Sequence, residues 1–270
     1  LKFILAGGVG RTSDAIAAIN YALMMHNRGV NIKLTSNSWG TLFPIPSQAM
    51  IDAIDAMRSA GMLFVAAAGN NGRNSDVTPT YPADYPLDNI ISVAASDHND
   101  NMASFSNYGA TSVDLAAPGV NIYSTLPTYT TSAIIDHSLT PNYGSISGTS
   151  MATPHVAGVA ALAWSVRPDA TYEQIRDAIL QGVDPETDFR LDGPTPVASG
   201  GRLNAFGTLK QLGLFVSGTT PASSAVVSVP PTTFTINFSF PIDPASLQAG
   251  DLTVDGAPAD AVLLSADKLT

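Results

Sequence analysis

The 270-residue chain contains no cysteine. That excludes disulfide staples, thiolate metal sites and a cysteine nucleophile together. It leaves the compartment open, because a chain of this length can bury a core that needs no disulfide. Charge is sparse at 13% of residues, and one sign is scarce: 12 Lys and Arg stand against 22 Asp and Glu, a net charge of −10. Without a basic cluster, nucleic acid and anionic membranes are not expected as partners. Apolar runs are short as well. The longest, such as Met62–Ala68, fall well below the roughly 20 residues that cross a bilayer, so no membrane span is expected. The chain also lacks an initiating Met and a signal peptide. It opens on Leu1-Lys2-Phe3-Ile4-Leu5, a strand-like start from which we expect a further segment upstream.

What is present is a 45% hydrophobic fraction, enough to exclude wholesale disorder. Helical and strand patterns alternate through the first two hundred residues. Leu1–Ala6, Asn31–Asn37, Met62–Ala68 and Ile90–Ala95 read as strands, continuous rather than alternating in their apolar residues. Helices are predicted over about Asp14–Asn27, Gln48–Ser59, Ser150–Val166, Tyr172–Leu180 and Asn204–Leu212. Thr12 or Ser13 is expected to cap the first, and Thr171 with Gln174 to form a capping box for the fourth. The pattern is that of an α/β fold, a mostly parallel sheet with helices on both faces. The composition then shifts. Residues 1–214 read as one domain, 215–224 as a Ser/Thr/Gly/Pro-rich linker, and 225–270 as the start of a β module. In that module Phe234, Ile236, Phe238 and Phe240 alternate with polar residues, and Leu252–Val254 and Val262–Leu264 look like further strands. About four strands match an immunoglobulin-like β-sandwich only in its beginning, since such a sandwich takes roughly seven.

Two segments could carry chemistry. In Val65–Gly72 a buried strand runs into Gly69-Asn70-Asn71-Gly72. An Asn at the C-terminal end of such a strand sits at the rim of the sheet, where ligands bind, with an amide donor suited to an oxyanion. The same residues also make an ordinary turn. In Gly148–Gly158, Ser150 opens an Ala-rich helix, among free backbone N–H groups that favour negative charge. There it reads either as a nucleophile or as a plain N-cap.

Together these stretches resemble a known family. Gly148-Thr149-Ser150-Met151-Ala152-Thr153-Pro154-His155-Val156-Ala157-Gly158 is similar, without a gap, to the nucleophile motif of the subtilisin-like serine proteases, the subtilases. Asn37–Gly40, Ala66–Asn70, Tyr81–Ala83, Phe105–Asn107, Ala117–Gly119 and Gly201–Ala205 resemble further family stretches in the family's order, over roughly Leu1–Leu212. The resemblance implies a serine endopeptidase acting on polypeptides through an acyl-enzyme at Ser150, with Asn70 in the oxyanion hole. It implies that Ser38, Trp39 and Gly40 form one wall of the substrate cleft and that Ala67 and Gly69 belong to the other. Small residues there suggest a pocket open to a large apolar side chain. It also implies a secreted protein that needs no cofactor for chemistry. A structural Ca2+ is a family trait, with a candidate position at carbonyls near Ala83 and the Asp114 carboxylate.

The departure concerns the base. Such enzymes pair the serine with a histidine and an aspartate, ordered Asp, His, Ser. Both should lie upstream of Asn37, and neither motif is there. His26 reads as a surface residue near a helix end, His98 lies in an acidic turn, His137 in a polar loop, and His155 in mid-helix facing away from Ser150. We expect an N-terminal segment to supply the Asp and His, and the 270 residues alone to be inactive or very slow. The alternatives are a pseudoprotease serving as a peptide-binding or adhesive module, and a β module that binds a surface or carbohydrate.

Overall fold

The computed structural model describes residues 1, 3–4, 9–41, 43–131, 134–135, 139–185, 196–213, 216–222, 225–229, 231–238, 242, 244–254 and 257–266. These fall into two units, Leu1–Gln211 and Leu212–Thr270.

Apolar runs build the sheet of the first unit. Leu63–Ala67 (β2) and Ile90–Ser96 (β3) are buried at every residue, as strands covered on both faces must be. Leu34–Asn37 (β1) pairs parallel with β2, β2 with β3, and β3 with Leu115–Pro118 (β4). Two short strands, Asp184–Pro185 (β7) and Gly201–Arg202 (β8), complete the order β1-β2-β3-β4-β8-β7, antiparallel only at β7–β8. The mostly parallel sheet expected from the sequence is present. The expected strand at Leu1–Ala6 differs: Leu1, Phe3 and Ile4 lie outside any strand, and Lys2, Leu5 and Ala6 lie outside the described residues. No described strand lies beside them to take their backbone hydrogen bonds, the condition for a strand.

Helices Thr12–Asn27 (α1) and Gln48–Ser59 (α2) cover one face. Ala15 and Ile19 of α1 and Ile54 and Met57 of α2 cluster with Phe64 and Ala66 of β2. Alternation along the strand turns Leu63 and Val65 to the other face, where Thr149–Val166 (α3) runs against β1, β2, β3 and β4. Apart from Val156 and Trp164 its buried positions are small, Ala152, Ala157, Ala160 and Ala163 among them, which lets the helix backbone approach the sheet. Tyr172–Gln181 (α4) starts at the predicted capping box: Gln174 N–H donates to Thr171 Oγ1, and Thr171 N–H to Gln174 Oε1. At α1 the expectation fails, because Thr12 and Ser13 are already helical and Arg11 stands at the N-cap without a side-chain bond. The last helix, Ala205–Leu212 (α5), follows Asn204, whose Oδ1 accepts the Gly207 N–H at 2.8 Å.

Between β4 and α3 lies a hairpin of Ile122–Thr125 (β5) and Tyr143–Ile146 (β6), which feeds directly into the Gly148–Gly158 segment. Exposed Tyr123 and Tyr143 stack across it with ring centres 5.9 Å apart.

The second unit holds two separate antiparallel pairs among its described residues. Val216–Thr220 (β9) pairs with Thr235–Phe238 (β10), and Thr253–Val254 (β11) with Ala257–Pro258 (β12). Two expectations are corrected here. Residues 216–220, assigned to a linker by composition, form a strand, because Thr219 and Thr220 are β-branched and the segment finds a partner in β10. Val262–Leu264 forms none, having no partner strand among the described residues. Phe240 lies outside the described residues.

Candidate active site

The C-terminal ends of β1 and β2 and the N-terminus of α3 converge. Asn70 follows β2 by three residues, and its side-chain oxygen accepts two bonds from Thr149: the backbone N–H at 2.8 Å and the hydroxyl at 3.0 Å. Only the amide oxygen can accept, so this pair fixes the orientation of the amide and leaves its NH2 group without a hydrogen-bond partner among the described residues. Thr149 is wholly buried, and its hydroxyl also accepts the Gly69 N–H at 3.2 Å. The next residue, Ser150, has a backbone N–H with no hydrogen-bond partner among the described residues. A Cβ placed on Gly148 would stand 3.5 Å from Asn70 Nδ2 and 3.7 Å from Ser150 N. The absence of that side chain keeps open a space bordered by two free N–H donors, at the positive end of a helix. Chemically, such a pair can hold an oxyanion.

Ser150 and Ser38 bond reciprocally. The Ser150 hydroxyl donates to the Ser38 carbonyl at 3.3 Å, and the Ser38 hydroxyl donates to the Ser150 carbonyl at 2.8 Å. The second bond has a cause in the sequence. In a regular helix the Ser150 carbonyl would accept the N–H of residue 154. That residue is Pro154, which has no N–H. The Ser38 hydroxyl takes the orphaned acceptor and ties the end of β1 to the first turn of α3.

The residues expected to wall a substrate cleft lie beside this pair. Trp39 turns its ring into the core, edge-on to Phe64 at 6.4 Å and to Phe3 at 5.2 Å. Its wall is therefore presented by backbone and by Gly40. Ala67 is buried, and Gly69 stands at the rim. The sequence reading missed Thr80, whose methyl carbon lies 3.3 Å from the point where a Cβ would stand on Gly40 and equally on Gly69. The methyl reaches between the two walls, and the Thr41 N–H to Tyr81 carbonyl bond of 2.7 Å closes the base. The pocket expected to be open is thus narrowed at one point. Nothing local in the sequence marks Thr80 for this position.

No described histidine bonds to Ser150. His26 Nδ1 pairs with the Ile32 carbonyl and His155 Nδ1 with the Met151 carbonyl, each at 2.8 Å. His98 is exposed beside Asp97, and His137 lies outside the described residues. The cation expected at Asp114 does not fit. Its two oxygens accept the Ser92 N–H at 2.7 Å and the Arg176 guanidinium at 2.8 Å. Burial pushes this carboxyl up, against the pull of Arg176 and Ser92. No cluster of three His, Asp or Glu side chains able to hold a metal occurs among the described residues.

Asp84, in the loop below the cleft, is a second perturbed carboxyl. Burial pushes it up to about 6, although the Thr80 N–H donates to its Oδ2 at 2.6 Å. Its Oδ1 is buried and makes no regular hydrogen bond among the described residues, although nearby Ser75 also pulls the pKa down. A carboxyl with a raised pKa binds more protons folded than unfolded, so stability falls as pH rises from about 4 to 6 and stays reduced above that. Asp84→Asn keeps the acceptor for Thr80 and removes the charge. It should raise Tm by about 5 °C at pH 8, on the order of 2 kcal/mol, and leave it unchanged at pH 4. Scanning calorimetry at the two pH values checks this; an equal gain at both would show that the charge is not the cause.

Against this geometry stand the comparisons with known proteins. The sequence profile of the subtilase family, peptidase S8, matches residues 2–208. The chain belongs to the subtilase family. Its relatives include M-protease of Shouchella clausii, 41% identical over 177 residues that make up 66% of this chain and 40% of that protein. Subtilisin Savinase of Lederbergia lenta is 40% identical over 66% of this chain and 56% of its own length. Thermitase of Thermoactinomyces vulgaris is 43% identical over 60% and 49%. The chain spans about half the length of these subtilases. Among solved structures, the prenylagaramide maturation protease PagA superposes with a TM-score of 0.61 at 26% identity, over 76% of this chain and 69% of that one. A protease from Pseudoalteromonas arctica does so with the same TM-score at 28% identity, over 76% and 60%.

Proposed function

We propose that the protein carrying this chain is a secreted serine endopeptidase that cleaves polypeptides through an acyl-enzyme at Ser150. Ser150 Oγ attacks the scissile carbonyl; the Asn70 NH2 group and the Ser150 N–H take the oxyanion as the tetrahedral intermediate forms. The single observation that carries this reading is the pair of free donors flanking the bare Gly148 beside the Ser150 hydroxyl. The chemistry needs no cofactor.

The general base and its carboxylate come, in this reading, from an N-terminal segment outside these 270 residues. Two features support that. No described histidine bonds to Ser150, and among the described residues β1 pairs only with β2, beside a groove of about 690 Å³. Leu1, Phe3 and Ile4 line that groove together with Thr35, Ser36 and Asn37. A strand added there would pair with β1, whose C-terminal end is tied through Ser38 to Ser150. The chain alone is then expected to hydrolyse peptides very slowly. The β-pairs after Leu212 are read as belonging to a β-sandwich module.

A peptidyl phosphonate ester, which phosphonylates an activated serine, tests the assignment. With the full-length protein, the adduct should map to Ser150 by mass spectrometry. Labelling of another residue, or none, would overturn the reading in favour of a peptide-binding pseudoprotease.

A further inference from the structure

Asn107 lies in the loop after β3, is wholly buried, and spends every hydrogen-bonding group of its side chain on the segment around Asn70 and on Thr80. Its Nδ2 donates to the Ala68 carbonyl at 2.8 Å and to the Thr80 hydroxyl at 3.0 Å. Its Oδ1 accepts the Asn71 N–H at 3.0 Å and the Arg73 N–H at 3.2 Å. Its own N–H donates to the Gly69 carbonyl at 2.8 Å. An asparagine amide has two donors and one acceptor oxygen with two lone pairs, and here all are used. The bonds bracket Asn70, on residues 68, 69, 71 and 73, and leave Asn70 itself to Thr149.

We infer that Asn107 is a positioning residue for peptide hydrolysis, holding the 68–73 segment so that the Asn70 amide meets the oxyanion. It also sets the floor of the cleft, because the bond to the Thr80 hydroxyl fixes the side chain whose methyl reaches between Gly40 and Gly69. The inference rests on the proposed oxyanion role of Asn70. Its physical basis is that a loop runs in water-exposed surroundings unless its backbone polar groups are satisfied internally. A buried amide with four fixed partners does this at one point, where a neighbouring hydroxyl or aspartate could not. Aspartate would set a second oxygen against the Ala68 carbonyl, and serine cannot span both sides. The segment does not depend on Asn107 for folding alone, since Gly72 N–H to Phe105 carbonyl and Tyr108 N–H to Arg73 carbonyl bonds of 2.8 and 3.0 Å also pin it.

The test compares Asn107→Ser, Asn70→Ala and the double variant in the full-length protein, on a peptide anilide. Displacements of about 1 Å in catalytic groups cost on the order of 100-fold. Asn107→Ser should lower kcat about 10- to 100-fold with KM within about threefold. Added to Asn70→Ala it should cost less than about threefold more, because residues that act through one another are not additive. A kcat within threefold of the unmodified protein, or a loss that multiplies fully with that of Asn70→Ala, overturns the inference. If Asn70→Ala itself leaves kcat unchanged, the oxyanion reading fails instead, whatever Asn107 does. Should Asn107→Ser not fold, hydrogen exchange on the unmodified protein decides: Asn71 and Arg73 amides exchanging at free-peptide rates would sink the inference, and strongly slowed exchange upholds it.

Discussion

Ser150→Ala in the full-length protein is expected to abolish release of a peptide anilide while leaving the affinity for the uncleaved peptide within a few fold. The expected loss is roughly a million-fold, a magnitude taken from the nucleophile knockout in subtilisin itself, a member of this family. The variant should fold normally. The hydroxyl makes one long bond, 3.3 Å to the Ser38 carbonyl, whereas the shorter Ser38 bond goes to the Ser150 backbone and survives the substitution. The Thr149–Asn70 pair likewise uses no Ser150 side-chain atom. A stability change beyond about 1 kcal/mol is therefore not expected. Steady-state kinetics and peptide titration check both halves. Hydrolysis that survives the substitution would place the nucleophile elsewhere.

Gly69→Ala is expected to cost at least about 3 kcal/mol and to remove activity with it. Gly69 has φ +109°, a conformation side chains rarely adopt, and its Cβ would overlap the Asn107 amide nitrogen. The Thr80 methyl carbon, 3.3 Å from the same point, blocks the other way out. Since Asn107 is fully buried and bonded on every side, it cannot step back without orphaning the Ala68 carbonyl or the Asn71 and Arg73 amides. Gly158 in the middle of α3 is the control: nothing lies within 4 Å of its Cβ position, so Gly158→Ala should stabilise by up to about 1 kcal/mol. Urea unfolding of the two variants should give shifts of opposite sign. A Gly69→Ala protein as stable as the parent would mean that the loop is looser than its bonds imply.

The elements were legible where one local signal sufficed. Gln48–Ser59 ends where Gly61 and the apolar spacing put it, and the Thr171–Gln174 box forms as the spacing predicts. Continuous apolar runs located β2 and β3 to within a residue at each end. Composition misled at residues 216–220, because Thr and Gly serve a strand as well as a linker once a partner such as β10 exists. The candidate site was legible as motifs, since Gly148–Gly158 and Ala66–Asn70 are contiguous. What joins them was not. Asn107 is 37 positions from Asn70 and Thr80 is 70 from Ser150, so their parts depend on three strands meeting at one rim. The Asp114 carboxylate looked available for a cation because Arg176, 62 residues on, gives no local sign that it will cover it.

The outer edge of β1 has a practical consequence for anyone who handles this chain by itself. Among the described residues β1 pairs only with β2, so none of them supplies a strand partner to its outer edge. An edge unpartnered among the described residues, beside apolar Ile19, Ile32 and Trp39, is a template onto which a second copy can add its own strand. Isolated at high concentration, the 270 residues would self-associate in a concentration-dependent way, and a short, strand-forming peptide supplied in excess would compete with that association and keep the chain dispersed.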